Sequence, residues 1–358
     1  MQINPLCIDC VKINEISSVL RMVAPEAVEL LEDRYNILKM VSYLQPVGRR
    51  SLSTKLNMTE RVIRKEANRL KDQGLVEFSL EGMAITKEGQ LALEMLTMFF
   101  HDLRGLKDLE IELAEKLQIK KVIIGSSGLM GEDLTLQELG RGAATYLKSI
   151  IKDGSVIGIT GGTSVYSIIE GYKKEKTPLE NAIVVPARGG LGKKTEYQAN
   201  TLAEKLASKL GSNYRMLYTP DNLSQAAIES LRKEPEIEEI ISVLNDMSIL
   251  AFGIGKAQKM AERRSLDDSE IGKIIDKGAV SEAFGYYFNE AGDIVHEIST
   301  IGIDLDKFKA IEELIAVASG NEKTEAIISI CKLNHNLVLV TDENVAKIIL
   351  DKHTKEDF

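Results

Sequence analysis

The sequence predicts a two-part α/β protein, an N-terminal winged helix-turn-helix followed by a Rossmann-like, mostly parallel α/β domain. Three observations carry that expectation. At 358 residues the chain exceeds what one hydrophobic core usually organises. Near the N-terminus three short helical patterns run into a hairpin signal, and from Lys121 onward short apolar runs alternate with helical stretches.

Composition narrows the function classes. Apolar residues make up 44% of the chain and charged residues 28%, as in soluble globular proteins. No apolar run approaches the roughly 20 residues that cross a bilayer, and the N-terminus lacks a basic start with an apolar signal core. A cytoplasmic protein without a membrane partner is expected. Three cysteines, Cys7, Cys10 and Cys331, do not make a disulfide framework. The Cys7-Ile8-Asp9-Cys10 pair lacks the second Cys or His pair of a zinc site, so no metal is expected. Net charge is −9, yet Arg49 to Lys71 carries +6, leaving −15 for the remainder. Basic charge is concentrated in one short segment of an acidic protein.

From Val28 to Leu44, Leu30, Leu31, Tyr35, Leu38, Val41 and Leu44 recur at helical spacing, and Pro46 and Gly48 end the helix. A second helix covers Arg50 to Leu56. Asn57-Met58 makes a turn, and Thr59 with Glu60 opens a third helix that stops at Gly74. In this third helix Val62, Ile63, Ala67 and Leu70 are expected inside. Leu75 to Phe78 and Met83 to Thr86, flanking Glu81-Gly82, form the wing hairpin. Arg49, Arg50, Thr59, Arg61, Arg64, Lys65, Asn68 and Arg69 are the candidate DNA-contacting residues, since such a helix reads base edges while flanking basic groups hold phosphates. A merely solvated charged face is the competing reading. Leu91 to Leu117 keeps helical spacing, with Met95, Met98, Phe99 and Leu103 on one side and only Gly105 interrupting. Such a helix either connects the domains and pairs subunits or docks on the next domain.

Seven strands are predicted at Lys121 to Ile124, Val156 to Ile159, Ala182 to Pro186, Tyr214 to Tyr218, Ile249 to Phe252, Leu314 to Ala318 and Leu337 to Val340. Leu134 to Ile150 and Glu196 to Leu210 are among the helices between them. Tyr286 to Val295, with its turn near Ala291-Gly292, reads as a hairpin inserted beside the sheet. Ligands of parallel sheets bind at the carboxyl ends of strands. Four such ends are polar or glycine-rich: Thr160 to Ser164, Ala187 to Gly192, Gly253 to Lys256, and Ser319 to Lys323. The first, Thr160-Gly161-Gly162-Thr163-Ser164, passes from strand to helix start, which is either an anion-binding turn or an ordinary capped one. Adding Arg188 and Lys323 describes a pocket for an anionic small molecule, with Glu282 placed to accept sugar hydroxyls. Gly158 is not followed by the lysine of a Walker loop, and Gln258 breaks a dinucleotide fingerprint after Gly253-Ile254-Gly255, so neither ATP nor NAD is indicated. His101, His296, His335 and His353 are scattered in the sequence and complete no catalytic motif, and no catalytic residue is assigned.

The blocks LQPVGRRSLSTKLNMTERVIRKEANRLKDQGLV, GITGGTSV, VVPARGGLG, QANTLAEKLA, AFGIGKA, EAFGYYFNEAGDIVHE, IAVASGNEKTEAI and LVTDENVAKIIL, in this order, resemble the SorC family of sugar-responsive bacterial transcription factors. The resemblance implies a repressor of a glycolytic operon that binds operator DNA and is relieved by fructose 1,6-bisphosphate or a related sugar phosphate. It implies no cofactor, and a homo-oligomer, dimer or tetramer. Its domains would be 1–88 for DNA binding, 89–118 as linker helix, and 119–358 for effector binding and oligomerisation, the last similar to sugar-phosphate isomerase, deaminase and CoA-transferase-like folds. On matching positions Gly161, Gly162, Thr163 and Ser164 would hold one phosphate, with Arg188, Gly189 and Gly190 beside the ligand and Gln198, Glu282 and Lys323 making polar contacts. Ser164 stands where a second threonine is expected. The alternative is a sugar-phosphate isomerase or deaminase with an accessory N-terminal domain and Glu282 as general base.

Overall fold

The structure, a computed structural model, describes residues 19–125, 131–190, 194–220 and 223–356, the last four of these by backbone only. The Cys7-x-x-Cys10 pair and Leu191-Gly192 lie outside the described residues. Chain contacts divide the molecule into two compact units, one of residues 19–109 with 131–134 and one of residues 110–125 with 135–356.

In the first unit α1 (Pro25–Leu44), α2 (Arg49–Leu56) and α3 (Glu60–Asp72) enclose Ile37, Leu38, Val41, Leu52, Leu56, Ile63, Ala67 and Leu70. Asn57 closes α2 in the left-handed region (φ 51°), a conformation its short amide tolerates. Thr59 then caps α3, its Oγ1 accepting from Val62 N at 3.3 Å. Val62, expected inside, is exposed. The buried stripe runs through Ile63, Glu66, Ala67 and Leu70, which a 3.6-residue period aligns and from which Val62 is rotated away. Glu66 holds its buried place by receiving Arg34 Nε at 2.8 Å from α1.

The wing is β1 (Val76–Phe78) and β2 (Met83–Ile85), antiparallel, with Val47 bridging to Met83. Gly82 makes that bridge fit, because a Cβ there would lie 2.8 Å from Val47 N. Two helices follow, α4 (Lys87–Leu103) and α5 (Leu106–Leu117), separated at Gly105 (φ 66°). On α4 Phe100 stacks on Tyr35 at 4.8 Å, and Phe99 and Leu103 pack toward the core, while Met95 and Met98 stay exposed, so the four do not share one side.

The second unit is built on seven parallel strands in the order β3-β13-β12-β7-β4-β5-β6: β3 (Lys121–Gly125), β4 (Val156–Ile159), β5 (Ile183–Pro186), β6 (Asn213–Tyr214), β7 (Ile249–Gly253), β12 (Glu313–Val317) and β13 (Leu337–Asp342). Helices α6 (Gly131–Ile150), α7 (Thr163–Gly171) and α8 (Ala199–Leu210) cover it. Strands buried on both faces explain the unbroken apolar runs of the sequence. Between β4 and β7 the order reverses, one half of the chain extending to β6 and the other to β3, which opens a crevice at their carboxyl ends.

Three expectations are corrected. The strand predicted from Tyr214 to Tyr218 is only Asn213–Tyr214, because the Asn200 amide clamps the backbone of Leu217 (2.9 and 3.0 Å) and draws the chain off the sheet edge. The helix predicted from Glu196 starts at Ala199, after a 3₁₀ turn at Thr195–Tyr197. The hairpin predicted from Tyr286 is half of a four-stranded antiparallel sheet. Its strands are β8 (Gly255–Lys256), β9 (Ser281–Ala283), β10 (Tyr286–Phe288) and β11 (Ile294–Glu297), two of them too short to show a period. At the other edge of the main sheet, Glu110 Oε1 accepts Ile124 N at 2.7 Å, occupying an amide that β3 would otherwise present.

Candidate effector cleft and DNA-facing helix

At the crevice beside β4 and β7 lies a cleft of about 260 Å³. β4 leads through Thr160, Gly161 and Gly162 into α7. Gly161 is required by packing, since a Cβ would stand 2.7 Å from Tyr197 O, and Gly162 by its φ of 113°. Gly162 is also the N-cap, and no side chain caps α7, so the amides of its first turn remain for an anion where Thr163 and Ser164 line the cleft.

Opposite stands a buried charged cluster. Glu282 on β9 accepts Arg264 Nη2 at 2.8 Å and Gly285 N at 2.6 Å through Oε1, and Arg188 Nη1 lies 3.7 Å from the same oxygen. Arg264 Nη1 also donates to Tyr287 Oη at 3.2 Å. Burial pushes the Tyr287 phenol above its usual range, against the opposing pull of Arg264. Gly285 (φ 95°) leaves room for Arg188, as a Cβ would meet Nη1 at 2.5 Å. Two guanidinium groups around one carboxylate keep a positive balance deep in the cleft, and this arrangement commits Glu282 to holding arginines.

The structure therefore gathers Gly161, Gly162, Thr163, Ser164, Arg188, Gly189, Glu282 and Lys323 around one cavity. Gly190 and Gln198 are not among its lining residues. They meet each other instead, a Cβ on Gly190 lying 3.1 Å from Gln198 Oε1, while their chain neighbours Gly189 and Ala199 reach the cleft. Lys256, at the end of the predicted Gly253 to Lys256 stretch, lines it as well, and so do Lys259, Arg263 and Arg264, which were missed. Lys256 ends β8, and Lys259, Arg263 and Arg264 follow on the next short helix, α9 (Ala257–Arg263), and its C-cap at spacings of three to eight, a periodicity that was available as a signal. Lys259 Nζ lies 3.6 Å from Glu322 Oε1, beside Lys323. In all, six cationic side chains face one carboxylate among the described lining residues. None of the histidines described by side chain lines the cleft. His296 sits on β11 against the Tyr287 ring at 5.6 Å, and His335 Nδ1 meets Gln118 O at 2.7 Å.

In the first unit Arg61, Arg64, Lys65, Asn68 and Arg69 are all exposed on α3, Thr59 caps it, and Arg50 is exposed at the start of α2. Lys65 Nζ approaches Glu66 at 3.3 Å and Arg50 approaches Glu60 at 3.5 Å. Burial raises Glu66, but Arg34 and Lys65 outweigh it and hold the carboxyl below the usual range. Arg49 and Lys71 both lie over the Phe78 ring of the wing, at 5.3 and 5.0 Å. Arg49 and Arg50 occupy the first turn of α2, which has no acidic residue and no side-chain cap. Cations there oppose the helix dipole, a local cost that a polyanion would reverse. The hairpin strands and turn carry Glu77 and Glu81 and no basic residue, so the cationic surface belongs to the helices.

A basic helix-turn-helix in one unit and a cation-lined cleft at strand ends in the other define a ligand-responsive DNA-binding regulator. The CggR N-terminal DNA binding domain family matches residues 30–100, and the Sugar-bind family of sugar-binding domains matches residues 101–351. The central glycolytic genes regulator of Bacillus subtilis (strain 168) is 39% identical over 337 residues, 94% of this chain and 99% of that one. Its counterpart in Priestia megaterium is 38% identical over 92% of this chain and 96% of that one. A SorC family transcriptional regulator structure from Enterococcus faecalis superposes with a TM-score of 0.63 at 33% identity, over 68% of this chain and 99% of its own. The full-length sorbitol operon regulator SorC of Klebsiella pneumoniae shares the fold over 98% of this chain and 100% of its own (TM-score 0.66, 18% identity). The chain belongs to the central glycolytic genes regulators of the SorC family. It is a DNA-binding, sugar-responsive transcriptional regulator of glycolytic genes, not an isomerase or deaminase. No helix among the described residues is long and apolar enough to cross a membrane.

Proposed function

We propose that the protein is a cytoplasmic repressor that grips operator DNA through α3 and the start of α2, and that fructose 1,6-bisphosphate bound in the cleft relieves repression. The cleft's charge carries this reading: six cations from three separate chain segments against one carboxylate exceed what a single phosphate needs, and a sugar with two phosphates suits them. One phosphate would rest on Gly161 to Ser164 at the start of α7, with Arg188 and Gly189 alongside. The other would meet Lys256, Lys259, Arg263 and Lys323. Gly190 and Gln198 would shape the loop beside the sugar. Residues 89–118 would link the DNA-binding part, 1–88, to the effector part, 119–358, within a homo-oligomer, dimer or tetramer. On α3, Arg61, Arg64, Lys65, Asn68 and Arg69 would face the major groove, with Arg49, Arg50 and Thr59 on flanking phosphates.

The effector relieves repression only if it binds the DNA-free state better than the DNA-bound state. Thermal shift with fructose 1,6-bisphosphate, fructose 6-phosphate, fructose and inorganic phosphate tests the ligand. A ligand at about 100 times its Kd adds about 2.7 kcal/mol of stability, and the bisphosphate is expected to give the largest shift. Fluorescence anisotropy with operator DNA tests the coupling. Operator affinity, assembly and cooperativity that stay unchanged at saturating bisphosphate would overturn it.

A further inference from the structure

Two carboxylates of opposite character stand at the cleft. Glu282 is buried and fixed between Arg264 and Arg188. Glu322 stands at the mouth, where its side chain is 44% exposed and its Oε1 lies 3.6 Å from Nζ of Lys259, itself 65% exposed. The two partners come from different parts of the chain. Lys259 belongs to α9 and lines the cleft, whereas Glu322 is the middle residue of the 3₁₀ turn Asn321–Lys323 after β12 and is not among the lining residues.

The turn fixes where this carboxylate lies. Lys323 N donates to Gly320 O at 2.9 Å, Thr324 Oγ1 donates to Asn321 O at 2.7 Å, and Gly320 N donates to Asp342 Oδ2 at 3.0 Å, so the turn is tied at both ends. Gly320 has a φ of 98°, and a Cβ there would stand 2.6 Å from Glu322 Oε2, so the glutamate folds back over the glycine. Adjacent residues of one turn thus bring opposite charges to one place: Lys323 lines the cleft, and Glu322 meets a lysine that also lines it. An ion pair between two exposed side chains is weak and exchanges readily. A dianion attracts such a lysine more strongly than a single carboxylate does, and a neutral hydroxyl far less.

We infer that Glu322 is a built-in competitor for the second phosphate of the effector. A bisphosphate whose first phosphate rests at α7 brings its second to Lys259, and there it displaces the Glu322 carboxylate. Part of the attraction between phosphate and lysine is offset by the ion pair that is lost. Glu322 therefore lowers affinity for the bisphosphate and raises the concentration at which the regulator responds. The inference rests on the bisphosphate reading of the cleft and adds to it a residue that opposes binding.

Isothermal titration of the full-length chain with fructose 1,6-bisphosphate, at about pH 8 where phosphate monoesters are dianionic, tests it. Glu322→Gln is expected to tighten binding by about three- to fivefold, the upper range for an exposed ion pair. Removing any acid near an anion site strengthens binding slightly through space, so the decisive arm is a double-mutant cycle with Lys259. Lys259→Met should weaken the bisphosphate, and adding Glu322→Gln to that chain should tighten it by less than about 1.5-fold. Both side chains are exposed, so melting without ligand should be the same in parent, single and double variants. An affinity that Glu322→Gln leaves unchanged, or a gain of the same size with and without Lys259, would overturn the competitor alone. A parent chain that binds no bisphosphate would overturn the effector reading and the competitor with it, which keeps the two failures apart.

Discussion

The molecule uses arginine in two opposite ways. On α3, Arg61, Arg64 and Arg69 stand exposed, where water screens each charge and folding does not depend on them. In the cleft, Arg188 and Arg264 are almost fully buried around Glu282 and are part of what the fold must satisfy. The first arrangement suits a polyanion met along a surface, with affinity set by released counterions. The second suits a small anion that enters a preorganised, poorly hydrated place. Stability and binding should therefore separate: in the effector unit a charge change disturbs both, and on α3 it disturbs binding alone.

The sharpest way to break this contrast is Glu282→Ala. It leaves two guanidinium groups buried without their carboxylate, and a loss of about 3–5 kcal/mol in unfolding free energy is expected from denaturant titration. A loss below about 1 kcal/mol would show that the cluster is hydrated and the contrast false. Next comes Arg64→Ala. Its unfolding free energy should stay within about 0.5 kcal/mol of the parent, while operator affinity falls by about 1–3 kcal/mol if Arg64 meets a base edge, or the salt slope falls by about 1 if it meets a phosphate. Anisotropy titrations across a salt series distinguish these outcomes, and a titration unchanged at every salt removes Arg64 from the interface.

The smallest expected effect concerns His296. Burial lowers its pKa from 6.5, helped by Lys277 and Arg264 and opposed by Glu270 and Glu297. A base depressed in the folded state binds its proton more readily when unfolded, so stability is intact above about pH 6.5 and declines as pH falls from there toward the folded value. His296→Gln should flatten that part of the pH profile in thermal melts. An unaltered slope would place the acid sensitivity elsewhere.

Much of this was legible from spacing. The three helices, the wing and the apolar strands follow from periodicity and breakers, and the strand ends at Thr160, Ala187 and Gly253 pointed to the cleft. What escaped depended on contacts distant in sequence. The early end of β6 comes from the Asn200 amide, and the commitment of Glu282 comes from Arg264, which lies on another element. Strands β8 and β9, of two and three residues, are too short to show alternation. The burial of Glu66 is not legible either, because nothing in the spacing of α3 shows that Arg34 reaches across to it.

The two rims of the seven-stranded sheet have a consequence of their own. At β3 a glutamate from α5 occupies the Ile124 amide, and at β6 the chain leaves after two residues. Neither rim offers a long template on which a foreign strand could grow. A sheet rich in buried valine and isoleucine is thereby kept from growing at either rim through its backbone, and encounters at those rims are left to side chains, whose chemistry can be selective and reversible.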